Sequence, residues 1–243
     1  MPTKPNSYDS YQKSLFLSVK HSTYFHVYDR LFTPFVGKEI TFVEVGVFHG
    51  GSLFMWRDFF DDTARIIGID LNPEAKKWEE EGFEIFIGSQ TNPNFWKQFF
   101  EEVGPIDVFL DDGGHTFEQQ IVTTLCALPH INDGGLLVIE DTHTSYMKDF
   151  GGPSPLSFVN FAKNIVDGIN YRFSKFRMEK DYEKLIHSIR FFESIVAFEI
   201  DRKLCDLESK PSSNGGKASD AKDFRYRDKV VVTASQLMKC FKY

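Results

Sequence analysis

The residues with the most chemical content fall in two short clusters, Asp111-Asp112-Gly113-Gly114-His115 and Glu140-Asp141-Thr142-His143. Four carboxylates brought to neighbouring strand ends repel one another unless something cationic separates them, so the pattern predicts a hard divalent ion. Oxygen ligands point to magnesium, with manganese as the other candidate, rather than zinc. His115 follows Asp112 closely enough to face the same cavity without binding the ion. A neutral imidazole there can take a proton from a hydroxyl group. Taken singly, each acid also reads as an ordinary cap of the next helix; the pair of clusters is what favours the ion.

A third group is the run Glu44-Val45-Gly46-Val47-Phe48-His49-Gly50-Gly51-Ser52. Gly46 permits a sharp turn and close approach of a ligand to the backbone, Ser52 is a good N-cap, and the helix it opens offers free amides to a nucleotide-like ligand. Glu44 is an acid inside an apolar strand, costly to bury unless a cation or donor meets it, and the amino group of a bound methionine moiety would do so. Asp70, at the end of the next strand, can accept hydrogen bonds from both hydroxyls of a ribose, or can simply start a helix before Pro73. Ser89 and Gln90 follow the third strand at the height of an adenine ring, or cap a loop there. The spacing E-x-G-x-x-x-G-G differs from the G-x-G-x-x-G of dinucleotide sites, which disfavours an NAD-dependent oxidoreductase.

These groups need a scaffold that brings strand ends together. Apolar, β-branched runs predict strands at Ile40–Val47, Arg65–Asp70, Phe83–Gly88, Ile106–Asp111 and Leu136–Glu140. Helical spacing predicts helices over Tyr24–Phe35, Ser52–Phe60, Glu74–Glu81, Asn94–Val103, Phe117–Leu128 and Pro153–Tyr171. Ser188–Ile200 holds two further strand-like runs around Glu193 and Ser194, an antiparallel end to the sheet. Alternation in this order implies an α/β fold: a doubly wound, mostly parallel, seven-stranded Rossmann-like sheet with ligands at the carboxyl ends of its strands.

The chain of 243 residues suits one main domain. The expected division is a lead-in and lid helix over residues 1–35, a catalytic domain over 36–205, and a flexible insertion and tail over 206–243. Within the last, 208–223 is rich in Ser, Gly, Lys and Asp. A net charge of −7 argues against nucleic acid as partner. Cys126, Cys205 and Cys240 form neither a disulfide framework nor a metal motif, which suits a reducing compartment. No signal-type segment and no run of about 18 apolar residues is present, so the expectation is a cytoplasmic protein without membrane insertion.

The segments FVEVGVFHGGSLFMWRDFF, GIDLN, IGSQ, DVFLDDGGHT, GGLLVIEDTHTSY and SIRFFESIVAFE resemble the metal-dependent sugar O-methyltransferases that decorate macrolides and other glycosides, including the mycinamicin and tylosin sugar methyltransferases. The match runs from about Lys20 to Lys203. The resemblance implies S-adenosylmethionine as cofactor, ligation of the metal by Asp112, Glu140 and Asp141, and His115 as general base. It likewise implies cofactor contacts from Glu44, from the turn Gly46 to Ser52 with His49, Gly50 and Gly51, and from Asp70, Ser89, Gln90 and Asp111. The run from Lys20 to His26 is similar to the segment covering the active site in that group. Tyr24 and His26 are thus candidates for lid or acceptor contacts along with His143 and Tyr146, although Tyr24 and Tyr28 equally suit a core helix face. The implied acceptor is a small molecule or glycan with adjacent hydroxyls, and a homo-oligomer, dimer or tetramer, is in keeping with the group. A catechol-type O-methyltransferase, which usually employs a lysine base, is the nearest alternative; a non-catalytic carbohydrate-binding protein on the same fold is a more distant one.

Overall fold

The computed structural model describes residues 6–171 and 181–219. The chain divides into two units, Met1–Leu207 and Glu208–Tyr243. In the second, residues 208–219 carry no regular secondary structure, while 220–223 and the tail Val230–Tyr243 lie outside the described residues.

Seven strands form one sheet in the order β3-β2-β1-β4-β5-β7-β6. They are β1 Thr41–Val45, β2 Arg65–Asp70, β3 Glu84–Ile87, β4 Ile106–Asp111, β5 Ile131–Ile139, β6 Ile186–Phe192 and β7 Ile195–Ile200. β1 to β5 pair in parallel, and β7 runs antiparallel between β5 and β6. The helices are α1 Ser7–Lys13, α2 Tyr24–Phe32, α3 Gly51–Phe60, α4 Pro93–Val103, α5 Phe117–Ala127, α6 Phe158–Tyr171 and α7 Arg202–Asp206. Among the described residues, no helix is long and apolar enough to cross a membrane.

Side chains alternate across each strand, and that alternation sorts the core into two layers. Phe42, Ile66, Val108, Leu110, Leu136 and Val138 pack on α2 and α3. Val43, Val45, Ile67, Phe109, Leu137 and Ile139 face the opposite way, onto α4, α5 and α6. The first layer takes up much of the aromatic content: Tyr28, Phe32, Phe42, Trp56, Phe59 and Phe60 are all buried in it.

Three elements depart from their expected form. Residues Pro73–Glu81 make a 3-10 helix, opened by the Asn72 side chain accepting from Glu74 N at 3.1 Å. β5 starts at Ile131, running through Asn-Asp-Gly-Gly rather than turning there; a Cβ at Gly135 would lie 2.7 Å from the Asp107 carbonyl oxygen, so only glycine lets the strand approach. α6 begins at Phe158, after a turn holding Pro153 and Pro155, where Asn160 N donates to Ser157 Oγ at 3.4 Å.

Candidate active site

The glycine turn after β1 is held from both sides. Asp70, at the end of β2, accepts from Val47 N at 2.9 Å and Phe48 N at 3.0 Å through Oδ2, and from Asn72 N at 2.8 Å through Oδ1. Gly46 has φ +95°, and a Cβ there would sit 2.1 Å from the Asp112 carbonyl oxygen, so the turn packs directly on the loop after β4. The N-cap of α3 is Gly50, in the left-handed conformation, and not Ser52 as its residue type suggested. Ser52 instead donates its hydroxyl to Glu44 Oε2 at 2.6 Å.

Above this turn opens a cleft of about 840 Å³ at the carboxyl ends of β1, β2 and β4. Glycine-turn residues Gly46 to His49, together with Ser52, Asp70, Ser89, Gln90, Asp112, His115 and Asp141, line it. Asp70 keeps spare acceptor capacity, since each carboxylate oxygen offers about two lone pairs. Ser89 Oγ lies 3.0 Å from Thr91 Oγ1. Gln90 is turned partly inward: Nε2 donates to Asp111 Oδ1 at 2.7 Å, and Oε1 accepts from Gly114 N at 2.8 Å.

The four acids do not share one cavity. Asp111 points to the α5 side, buried with Gln90 and Thr123 and away from the cleft lining. Burial pushes its carboxyl up to about 7, against the hydrogen bonds from Gly113 N and Gln90. Asp112, one residue on, emerges on the α3 side, where Glu44 and Glu140 also point.

There the structure supplies a residue that sequence reasoning did not single out. Lys20 is buried, and its Nζ donates to Asp112 Oδ2 at 2.6 Å, Glu44 Oε1 at 3.2 Å and Glu140 Oε2 at 3.3 Å. Burial works to lower its pKa, but the surrounding carboxylates, Asp112 foremost, outweigh that and hold it well above the ordinary lysine value. Glu44 thus has a cation from its own chain. Burial raises Glu44 and Glu140 above the usual carboxylate range, opposed by Lys20. Glu140 also accepts from Tyr28 OH at 2.5 Å. Tyr28 is a core aromatic of α2 that reaches the site, and burial raises its phenol too.

Asp141 and His115 face the cleft. His115 Nε2 lies 3.4 Å from Asp141 Oδ2 and 3.9 Å from Asp112 Oδ1. Both residues have positive φ, +59° and +54°, uncommon for side-chain-bearing residues outside functional turns. Thr144 links both: its hydroxyl lies 2.9 Å from each of the His115 and Asp141 carbonyl oxygens and shares its one proton between them. Asp112, His115 and Asp141 each bring one ligand-type atom to within 4.8 Å of the others, so the two carboxylates can share a small divalent cation with the imidazole beside it. Glu140 is not of that trio, its oxygens being engaged by Tyr28 and Lys20.

Of the other expected contacts, Tyr24 donates its single phenol proton to Asp141 Oδ1 and lies 2.8 Å from the Ser194 hydroxyl, and burial raises its phenol pKa. His143 Nδ1 meets Ser194 Oγ. Tyr146 is exposed, and His26 lies on the solvent side of α2, in none of these contacts.

Residues 43–142 match a protein family described as a methyltransferase domain. An 8-demethyl-8-alpha-L-rhamnosyl tetracenomycin-C 2'-O-methyltransferase of Streptomyces olivaceus is 31% identical over 159 residues, 61% of this chain and 42% of that protein. A demethylmacrocin O-methyltransferase of Streptomyces fradiae is 32% identical over 157 residues, 60% of this chain and 39% of that protein. The chain therefore spans about two fifths of the length of these relatives. In fold it is similar to the MycE methyltransferase from the mycinamycin biosynthetic pathway, solved in complex with Mg and SAH: TM-score 0.77 and 24% identity over 86% of this chain and 57% of that one. The chain thus has the Rossmann-like α/β fold of a solved methyltransferase, matches a methyltransferase-domain family over residues 43–142, and is similar in sequence to O-methyltransferases that act on a rhamnosyl tetracenomycin and on demethylmacrocin.

Proposed function

We propose that this protein transfers the methyl group of S-adenosylmethionine to a hydroxyl of a sugar on a glycosylated acceptor, aided by a divalent cation. The observation that carries this reading is a cleft of about 840 Å³, floored by the glycine turn and Asp70, that runs into the trio Asp112, His115 and Asp141. Its size suits a nucleoside-bearing donor. The name of the Streptomyces olivaceus relative, a 2'-O-methyltransferase of a rhamnosyl tetracenomycin, supplies the sugar hydroxyl as acceptor.

In this scheme Asp70 accepts hydrogen bonds from the donor's ribose, and the Gly46 turn lets the donor lie against the backbone. Asp112 and Asp141 would hold a magnesium ion, with Glu140 behind them, and such an ion lowers the pKa of a bound alcohol, otherwise about 15 to 16. His115 Nε2 receives the hydroxyl proton, and the Asp141 carboxylate, 3.4 Å from that nitrogen, stabilises the imidazolium so formed. The acceptor oxygen forms a bond to the methyl carbon as the carbon–sulfur bond breaks, its electron pair passing to sulfur. The products are a methyl ether and S-adenosylhomocysteine. Alignment of the two bound reactants supplies much of the acceleration.

The test is transfer of labelled methyl from S-adenosylmethionine to a panel of glycosides and catechols, with and without chelator. Methylation of a glycoside that stops on metal removal and is abolished by His115→Ala supports the reading. Exclusive methylation of catechols, or full activity after demonstrated metal removal, refutes it.

A further inference from the structure

Asp141 presents its two carboxylate oxygens in different directions. Oδ2 faces His115, while Oδ1 lies 3.9 Å from His143 Nδ1. Across from His143 stands His21, in the segment between α1 and α2, the two rings perpendicular with centroids 5.6 Å apart. His21, Asp141 and His143 each offer one ligand atom, all within 4.8 Å of one another. That donor set differs in kind from the neighbouring trio of two carboxylates and His115. Two imidazoles and one carboxylate oxygen suit borderline transition ions, and three protein ligands leave a position open. Ligand atoms around a tetrahedral ion stand roughly 3.4 Å apart for bonds of about 2.05 Å. Closing up to that distance takes about an ångström of movement, which His21, exposed on its segment, can provide. Asp141 is already braced by Tyr24 OH, an outer contact of the type that orients a ligand, while Ser194 Oγ meets His143 Nδ1 and gives way where that nitrogen takes the ion.

We propose that His21, Asp141 and His143 form a second cation site, specific for a borderline divalent ion such as Zn2+ or Co2+, with Asp141 shared between it and the Asp112–His115 pocket. The site does not depend on the methyl-transfer reading. An ion there joins the segment bearing His21 to the 3-10 turn Thr142–Tyr146. Leu17, Ser18 and Val19 of that same segment line the cleft, so the ion would fix one of its walls.

Cobalt is the probe, because its visible absorption reports nitrogen ligation. The intact protein and its His21→Ala, His143→Ala and Asp112→Asn variants are titrated with Co2+, and with Zn2+ by calorimetry. The expected result is a cobalt spectrum that survives Asp112→Asn but whose affinity falls about tenfold or more in either histidine variant, since loss of an outer-shell contact alone costs that much. Equal affinity in wild type and His21→Ala overturns the proposal. So does a spectrum lost in Asp112→Asn, which would place the ion beside His115. His21 is exposed, so its variant decides the matter even if His143→Ala fails to fold.

Discussion

Lys20 sets the electrostatics of the site, one ammonium among Glu44, Asp112 and Glu140. Removing one member of a buried ionic group costs about 3–5 kcal/mol because the remaining charges are left unpaired. Lys20→Met keeps the aliphatic stem and deletes the charge. Denaturant unfolding of this variant without divalent ion is expected to show a loss of about 3 kcal/mol or more, part of it restored by Mg2+; unchanged stability would contradict the assigned role. The acids themselves were legible in the sequence because they stand at the ends of apolar strands. Their counter-charge was not, since Lys20 lies 24, 92 and 120 residues from its three partners and nothing local marks it. Asp111 misled for a related reason. As the last residue of β4, Asp111 takes the face opposite Leu110, where it is buried with Gln90 and Thr123, while Asp112 leaves the strand toward the cleft.

Elements bring those residues together through a few specific ties. α1 is anchored to α3 where Ser10 Oγ and Lys13 Nζ donate to Asp58 Oδ2 at 2.7 and 2.8 Å. From that anchor the chain passes Phe16, whose ring meets Trp78 with centroids 4.5 Å apart, and reaches the cleft at Leu17, Ser18 and Val19. Asp58 is partly desolvated, which would raise its pKa, yet the Lys13 and Ser10 hydrogen bonds win and lower it. A depressed folded-state pKa means the tie contributes stability above the unfolded aspartate pKa and loses it as pH falls through the folded value. Protection against hydrogen exchange over residues 14–23, corrected for the intrinsic pH dependence of the amides, should therefore fall in acid, and Asp58→Asn should lower it already at neutral pH, at a cost of at most about 1 kcal/mol for so exposed a pair. Exchange that is indifferent to the substitution would remove Asp58 from this role. The strands and most helices were legible from periodicity, β4 to the residue. Ends set by tertiary contact were not: β5 runs through a sequence that reads as a turn because Gly135 fits against the Asp107 carbonyl, a partner from another strand.

On the scale of the whole molecule, the sheet is held between two apolar layers, and the aromatic one also backs the site. Trp56 is fully buried and its ring lies 5.0 Å from Tyr28, 5.4 Å from Phe32 and 5.1 Å from Phe42. Tyr28 in turn donates to Glu140, so this packing reaches the carboxylates. Trp56→Ala should cost about 3–5 kcal/mol by denaturant unfolding; a loss below about 1 kcal/mol would mean that the layer is not the core it is taken for. The central claim is that acids at the ends of β4 and β5 grip a divalent ion beside a bound sulfonium donor. Calorimetric titration of S-adenosylhomocysteine and then Mg2+ into wild type and Asp141→Asn tests it most directly. Both ligands are expected to bind the wild type, and the variant to keep the nucleoside while losing magnesium affinity about tenfold or more. A folded protein that takes up neither ligand would contradict it.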